Sequence, residues 1–279
     1  MYSMIVVAIG CMFLSIACGM IGTISILKGQ SLIGDAIGHS VFPGVILMFM
    51  ITKEKNPILL SIGAFIFGTI SFLFIQLIDS YSKIKLDAIL GIALSTFFGL
   101  GMMLKGYIQS NENFRSSKSS GINDYIFGQA AYLKESDIYI VAGISILAIV
   151  VLIFFYKEIK LFIFDENYSI SIGYKKNLLN FIILFMTLIL ISIGLRVVGS
   201  LLISSLLIIP GVTACMWSKK FNIVLIISGI VAGISAILGT YISSLDSLST
   251  GPCIILILAF FTIISIFISP NGILNRKRG

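Results

Sequence analysis

Charged residues are scarce in this chain. Only 11% of its 279 residues are Asp, Glu, Lys or Arg, whereas a soluble domain has about 25%. The mean hydropathy is +1.09, and no polar stretch is long enough to form a folded soluble domain. The composition therefore excludes an ordinary water-soluble protein and indicates a chain that crosses a membrane several times.

Three further features of the sequence limit the chemistry that the chain can perform. The chain has no Gly-Lys dipeptide, which the phosphate-binding loop of ATPases requires before Ser or Thr. His39 is the only histidine, so it is the only candidate base for a serine or cysteine nucleophile. The cysteines lie in apolar runs without Cys-x-x-Cys spacing, which argues against a zinc cage or a redox pair. We therefore expect the chain not to be an enzyme.

Long apolar runs occupy most of the sequence. A membrane-spanning helix needs about 20 apolar residues, and about nine runs approach that length: 3–27, 31–51, 58–78, 88–104, 138–156, 178–195, 197–217, 221–243 and 252–269. Some of them can be re-entrant or paired into one broken helix. We predict an all-α membrane protein, a single domain over 1–279 that forms a polytopic bundle of about eight to nine transmembrane helices. Because no positive charge precedes Lys28, we interpret the first run as a helix of the mature protein and not as a signal peptide.

The positive charges, which give a net charge of +7, indicate how the chain is oriented in the membrane more than what it binds. The basic residues are scattered through short loops without interleaved aromatic residues, so we expect no nucleic-acid binding. If the chain begins outside and each run crosses once, the inner loops hold twelve Lys and Arg residues and the outer loops seven. The positive-inside rule favours this orientation. It places Lys219, Lys220 and the bases at 276–278 in the cytoplasm, and Asp246 outside.

Asp35 and His39 are the ionisable residues that stand out within the apolar runs. Asp35 is the only aspartate inside them and lies four residues before His39, so the two side chains share one face of a helix. Ionisable residues in membrane segments cost about 2.5–3.5 kcal/mol on insertion scales and mark functional sites. A carboxylate and an imidazole suit manganese, zinc or ferrous iron. The pair predicts half of a metal site, with the other ligands from another segment, a second copy or water; alternatively, Asp35 caps a helix and His39 bonds a backbone carbonyl.

Two polar or irregular stretches interrupt the runs. The stretch 157–177 is too short and polar to cross a membrane, and it predicts a short helix with acidic residues at its start and a glycine at its end. Its recognisable positions are Asp165, Glu166, Ile170, Ile172 and Gly173. The stretch 194–214 contains glycines and the pair Pro210 and Gly211, which predict a kinked or broken helix.

Several segments together resemble one protein family. The segment 31–45, which reads SLIGDAIGHSVFPGV, is similar to the second-helix signature of the permease subunits of manganese/zinc/iron ABC importers. The segments 164–180, 194–214 and 250–256 resemble, in the same order, further segments of that family, including its cytoplasmic connection and its last-helix entrance. The residues from Asp246 to Thr250 depart from the family pattern. We therefore interpret Asp246 as a solvated carboxylate of an outer loop.

The resemblance implies a function, partners and site residues. It implies ATP-driven import of manganese, zinc or iron across a bacterial cell membrane, with manganese favoured and no permanently bound cofactor. The implied partners are a second copy of the chain, a cytoplasmic ABC ATPase that hydrolyses the ATP, an extracellular or periplasmic metal-binding protein and membrane lipid. Asp35 and His39 carry over as intramembrane metal ligands, and 165–173 carries over as the coupling helix that docks on the ATPase.

Three questions stay open at the level of sequence. Pro210 and Gly211 are as consistent with a packing kink as with a hinge. A stand-alone proton-coupled metal transporter is an alternative function, although such carriers usually hold several acidic residues within their helices. A permease for a larger metal chelate is a second alternative, but those permeases are longer and need a roomier pathway.

Overall fold

The computed structural model describes residues 2–54, 56–111, 135–245, 248–270 and 272–273. The described residues form α-helices joined by turns, without a β-strand. The helices are α1 (Tyr2–Leu27), α2 (Ile33–Ser40), α3 (Phe42–Thr52), α4 (Pro57–Tyr81), α5 (Leu86–Ser110), α6 (Glu135–Phe154), α7 (Tyr156–Phe164), α8 (Glu166–Ser171), α9 (Lys176–Trp217), α10 (Phe221–Leu245) and α11 (Thr250–Ile268). The predicted all-α class is confirmed. Asp246 and the bases at 276–278 lie outside the described residues.

The helices account for the predicted number of membrane spans. Among the described residues, 8 helical segments are long and apolar enough to cross a membrane. Helices α6 and α7 meet at a bend of 67° and give a ninth span if they are counted together. The prediction of eight to nine transmembrane helices is therefore confirmed.

One predicted span consists of two short helices. Helices α2 and α3 meet at Val41 within the span Ile33–Thr52. Pro43 occupies the first turn of α3, where its missing N–H and fixed φ are tolerated but the preceding helical ladder is interrupted. The short helix α2 is therefore separated from α3 at one end and from α1 by a turn at the other.

The long helix α9 contains a sharp irregularity. It covers two spans, Lys176–Leu195 and Val198–Trp217. Gly199 between them has φ 80° and ψ 165°, a conformation that is essentially restricted to glycine. The prediction of a broken helix over 194–214 is confirmed, and the residue outside helical geometry is Gly199, whereas Pro210 lies inside the helical segment that follows.

Glycines let several helices approach at backbone distance. A Cβ atom on Gly22 of α1 would overlap the backbone of Leu207 in α9. Gly44 of α3 and Gly63 of α4 face each other's carbonyl groups in the same way. Small residues permit such close packing between membrane helices, where dispersion contacts replace the hydrophobic effect as the main attraction. These contacts set the distance between α1 and α9 and between α3 and α4.

Candidate metal centre

Helix α2 presents Asp35 and His39 together. The Nε2 atom of His39 lies 3.5 Å from Oδ1 of Asp35, and the two side chains are 16% and 32% exposed, respectively. The predicted placement on one helix face is confirmed. Asp35 lies in the first turn of α2, where the positive end of the helix dipole favours a carboxylate.

The alternative role of Asp35 as a helix cap is not what the structure shows. Helix α2 begins after Leu32, which is the N-cap residue and makes no side-chain capping hydrogen bond. Asp35 lies inside the helix, with its carboxylate next to the imidazole of His39. The carboxylate is therefore available for a ligand or for a neighbouring helix.

Two neighbouring helices complete the surroundings of the pair. The ring of Phe98 in α5 packs edge-on against the imidazole of His39, with ring centroids 5.2 Å apart and an interplanar angle of 79°. The buried Ser204 of α9 forms a side-chain hydrogen bond with Asp35. Sequence reasoning missed both residues, because a serine and a phenylalanine inside apolar runs carry no local signal of a site.

A second face of α2, next to the one with the pair, consists of glycines that pack on α9. Gly34 and Gly38 lie against α9: a Cβ on Gly34 would be 2.9 Å from Cδ1 of Leu207, and one on Gly38 would be 3.8 Å from Cγ2 of Ile203. Residues four apart share a helix face. The glycine face therefore sets the distance between α2 and α9, and the adjacent face presents the carboxylate and the imidazole.

The pair supplies an incomplete set of metal ligands. Within the described parts of the chain, no group of three or more His, Cys, Asp or Glu residues is placed to hold a metal ion. A carboxylate oxygen and an imidazole nitrogen suit several divalent transition metals. Any further ligands must come from water, from residues outside the described ranges or from another chain. The role of Asp35 and His39 as ligands stays a prediction.

The stretch after α7 forms the short helix that the sequence predicts. Asp165 is the N-cap residue of α8, and its Oδ1 accepts a hydrogen bond from the backbone N–H of Tyr168 at 2.9 Å. Gly173 follows the helix with φ +103°, a conformation that L side chains rarely adopt. The acidic start and the glycine end are therefore both present.

Helix α8 exposes apolar side chains at the surface of the bundle. Ile170 is 45% exposed and Ile172 is 54% exposed. Glu166, at the start of α8, pairs with Lys176 at the start of α9 across 2.6 Å. The structure thus holds α8 at one end of α9 and leaves Ile170 and the following Ile172 exposed, while their role in contact with an ATPase stays a prediction.

Pro210 and Gly211 pack closely against α1. A Cβ on Gly211 would lie 2.6 Å from Cδ1 of Ile26 and 2.8 Å from Oγ1 of Thr23. A Cβ on Gly19 of α1 would lie 3.4 Å from Cβ of Pro210, an ordinary contact distance. These contacts account for the small residue at 211 by packing, and a hinge role for the pair stays a prediction.

Comparisons with known proteins cover nearly the whole chain. The model of the ABC 3 transport family matches residues 1–269. The manganese transport system membrane protein MntC of Bacillus subtilis (strain 168) is 37% identical over 269 residues, which are 96% of this chain and 61% of that protein. The zinc transport system membrane protein TroC of Treponema pallidum (strain Nichols) is 30% identical over 271 residues, 97% of this chain and 90% of that protein. This chain therefore spans less than two thirds of the first relative and most of the second.

A solved structure has the same fold. PsaBC from Streptococcus pneumoniae, in complex with Fab, superposes with a TM-score of 0.84 at 27% sequence identity, covering 98% of this chain and 94% of that one. The similarity in sequence and the similarity in structure both extend over the full set of spans, including α2 with Asp35 and His39. This chain belongs to the ABC 3 transport family.

Proposed function

We propose that this chain is the permease subunit of an ATP-driven importer of divalent metal ions, with manganese favoured and zinc or iron as the other cargoes. The metal passes through a site at Asp35 and His39, and a separate cytoplasmic ATPase hydrolyses the ATP. Family membership and the 8 candidate spans support a multi-pass permease of the bacterial cell membrane. The lack of a Gly-Lys dipeptide leaves the nucleotide to a partner.

The observation that carries the proposal is the pair on α2. A carboxylate and an imidazole 3.5 Å apart offer one anionic oxygen and one neutral nitrogen to the same ion. Both side chains are partly exposed within an otherwise apolar span, so an ion has access to them. A transport site must bind firmly enough for entry and weakly enough for release. Two protein ligands with water completing the shell satisfy both requirements.

The residues around the pair contribute orientation. Ser204 donates a hydrogen bond to the Asp35 carboxylate and holds it beside the imidazole. The edge-on contact with Phe98 restricts rotation of the His39 ring, since aromatic pairs favour this arrangement. In the proposed transport cycle, these two contacts keep the ligands ready for the ion, which limits the reorganisation needed at each binding event.

Metal selectivity follows from coordination and not from affinity alone. Zinc binds more tightly than manganese at any site with nitrogen and oxygen ligands. Manganese transport therefore requires a shell with a coordination number or geometry that zinc satisfies poorly. Two of the relatives named above are a manganese and a zinc transport protein, and the form of the motif at Ala36 and at 41–44 favours manganese or iron by resemblance.

The proposed partners follow from the two ends of the pathway. The exposed Ile170 of α8 and Ile172 directly after it supply apolar anchors for an ATPase, because a few buried side chains contribute most of the energy of an interface. A second copy of the chain is proposed to complete the pathway. An extracellular or periplasmic binding protein is proposed to deliver the metal.

Metal-resolved uptake tests the proposed function. A strain that lacks this chain is grown at limiting metal, and its manganese, zinc and iron contents are measured by elemental analysis, with and without the chain supplied from a plasmid. We expect a loss of manganese that the plasmid restores. Unchanged contents of all three metals would contradict the proposal.

Purification of the tagged chain in mild detergent separates the proposed importer from a stand-alone proton-coupled carrier. We expect an ABC ATPase subunit to co-purify with it. Metal uptake by liposomes that contain the chain alone, driven by a proton gradient and without ATP, would favour the stand-alone carrier instead.

A further inference from the structure

Lys28 connects three separate parts of the bundle. It lies in the turn between α1 and α2, and its ammonium group donates a hydrogen bond to Oδ1 of Asn180 in α9. The same ammonium group lies 4.9 Å from the ring centroid of Phe162 in α7, within the range of a cation–π interaction. One cation thus ties the turn that precedes Asp35 to helices on either side of α8.

The charge of Lys28 also faces the start of α8. Burial lowers the pKa of Lys28, while the carboxylate of Glu166 raises it and the ammonium of Lys176 lowers it further. Glu166 is itself paired with Lys176 across 2.6 Å. Glu166 therefore pairs with Lys176 and lies in the electrostatic environment of Lys28, with which it lines the same cavity.

A cavity joins these groups to α2. It has a volume of about 290 Å³. Its charged and amide-bearing walls include Lys28, Asp79, Glu166, Lys176 and Asn180, and its apolar walls include Ile33 and Ile37. The two isoleucines lie on α2 on either side of Asp35 in the sequence. The cavity therefore brings the start of α8 and the inner part of α2 to one shared space.

The turn that contains Lys28 is held by backbone hydrogen bonds to the end of α1. Gly29 has φ +75°, and its N–H donates to the carbonyl of Ile26 at 2.9 Å while the N–H of Gln30 donates to the carbonyl of Ser25 at 2.8 Å. This glycine-ended cap satisfies the last carbonyls of α1. The N–H of Ile33, the first residue of α2, donates to the carbonyl of Gln30 at 3.1 Å, so the turn leads directly into the first turn of α2.

We propose that Lys28 is a positioning residue that transmits movement of α8 to Asp35 and His39. The inference rests on the proposed function, since it requires α8 to be the contact with the ATPase. When α8 moves, Glu166 changes its distance from Lys28, the contacts with Phe162 and Asn180 readjust, and the turn shifts the start of α2. Asp35 and His39 both lie on α2, so a shift of this helix changes their distances from Ser204 of α9 and Phe98 of α5.

The test uses the complete transporter, reconstituted in liposomes with its co-purifying ATPase and binding protein. Manganese uptake and ATP hydrolysis are measured in the same preparation for Lys28→Met, which keeps the length of the side chain and removes its charge. Lys28→Arg is the rescue variant. Lys83→Met is the matched control, because Lys83 is an exposed lysine of the α4–α5 turn on the same predicted side.

We expect Lys28→Met to assemble and hydrolyse ATP but to import about tenfold less manganese per ATP, whereas Lys28→Arg and Lys83→Met stay within about twofold of the wild type. An unchanged ratio in Lys28→Met would overturn the proposal. So would a parallel fall of uptake and hydrolysis, since that result indicates damage to the ATPase contact and not a loss of transmission.

Hydrogen–deuterium exchange gives a second readout that does not depend on metal uptake. On trapping of a nucleotide, we expect exchange to change at 165–173 and at 29–38 in the wild type. In Lys28→Met the change at 165–173 should remain and the change at 29–38 should disappear. If both changes persist, Lys28 transmits nothing and the proposal is wrong.

The two readouts also separate this proposal from the proposed function. If the wild-type complex imports no metal, the proposed function fails, and the exchange data still decide the role of Lys28. Should Lys28→Met fail to assemble, Asn180→Leu removes the other half of the hydrogen bond and is measured in its place. Failure of both variants to assemble would assign Lys28 a purely structural role and overturn the proposal.

Discussion

Replacement of Asp35 by asparagine is the most direct test of the metal centre. Asparagine has nearly the shape of aspartate and still accepts a hydrogen bond from Ser204, so the substitution removes the charge and little else. The Asp35 carboxylate is 32% exposed, which makes a moderate effective dielectric appropriate. At a dielectric constant of about 20, a carboxylate and a divalent ion about 4 Å apart attract each other by about 8 kcal/mol.

Much of that attraction is offset by the hydration that the ion and the carboxylate give up. We take a net loss of about 2 kcal/mol, which corresponds to about 30-fold weaker binding. The cost to folding is much smaller, because an ion pair that is partly exposed contributes at most about 1 kcal/mol. We therefore expect Asp35→Asn to assemble normally and to lose uptake at limiting metal.

The assay is uptake of radioactive manganese at concentrations below the wild-type half-saturation point, with assembly checked by co-purification of the ATPase. His39→Ala tests the second ligand. Asp87→Asn is the matched control, because Asp87 also lies in the first turn of its helix but is exposed. Wild-type uptake in both Asp35→Asn and His39→Ala would show that the pair is structural and that the proposed site is wrong.

Three other predictions concern the proposed docking of α8, the break in α9 and the orientation. Ile170→Glu should abolish metal uptake, although the protein still inserts into the membrane. The control is Ile84→Glu in the α4–α5 turn, which should retain uptake because Ile84 is as exposed as Ile170 (both 45%). Full coupled activity in Ile170→Glu would contradict the docking role. Gly199→Ala should destabilise the protein by about 1–3 kcal/mol, seen as a lower unfolding temperature in detergent, and an unchanged temperature would show that the break tolerates a side chain. A cysteine introduced at Lys220 should react with membrane-impermeant reagents only from the cytoplasmic side, and one introduced at Glu54 only from the outside. The opposite pattern would reverse the orientation.

Much of the fold was predictable because membrane spans are a local property. Each span requires a run of about 20 apolar residues, and such runs are visible without knowledge of their neighbours. The breaks within the spans were harder to predict, because they depend on the backbone geometry of single residues. A glycine such as Gly199 adopts a non-helical φ/ψ pair inside a stretch that reads as apolar helix, and hydropathy does not distinguish it from the glycines that stay helical.

In the candidate site, too, the local features were predictable from the sequence and the contacts between helices were not. Asp35 and His39 were predicted because residues four apart on a helix are neighbours in every helix. Ser204 and Phe98 were not, because their contacts depend on how α9 and α5 pack against α2. The contacts of Lys28 were not predicted either, and the residue was interpreted only as a charge in a loop. Its partners Phe162 and Asn180 are far from it in sequence.

The position of α2 bears on the mechanism that we propose. Helix α2 has 8 residues, bounded by the Lys28 turn on one side and by the junction at Val41 on the other, where the span continues into α3. It packs on α9 through Gly34 and Gly38. Asp35 and His39 are both on α2, so a small shift of this helix would leave them beside each other and would change their distances from Ser204 of α9 and Phe98 of α5. In the proposed transport cycle, such a shift alters the surroundings of the two ligands, and with them the affinity for an ion.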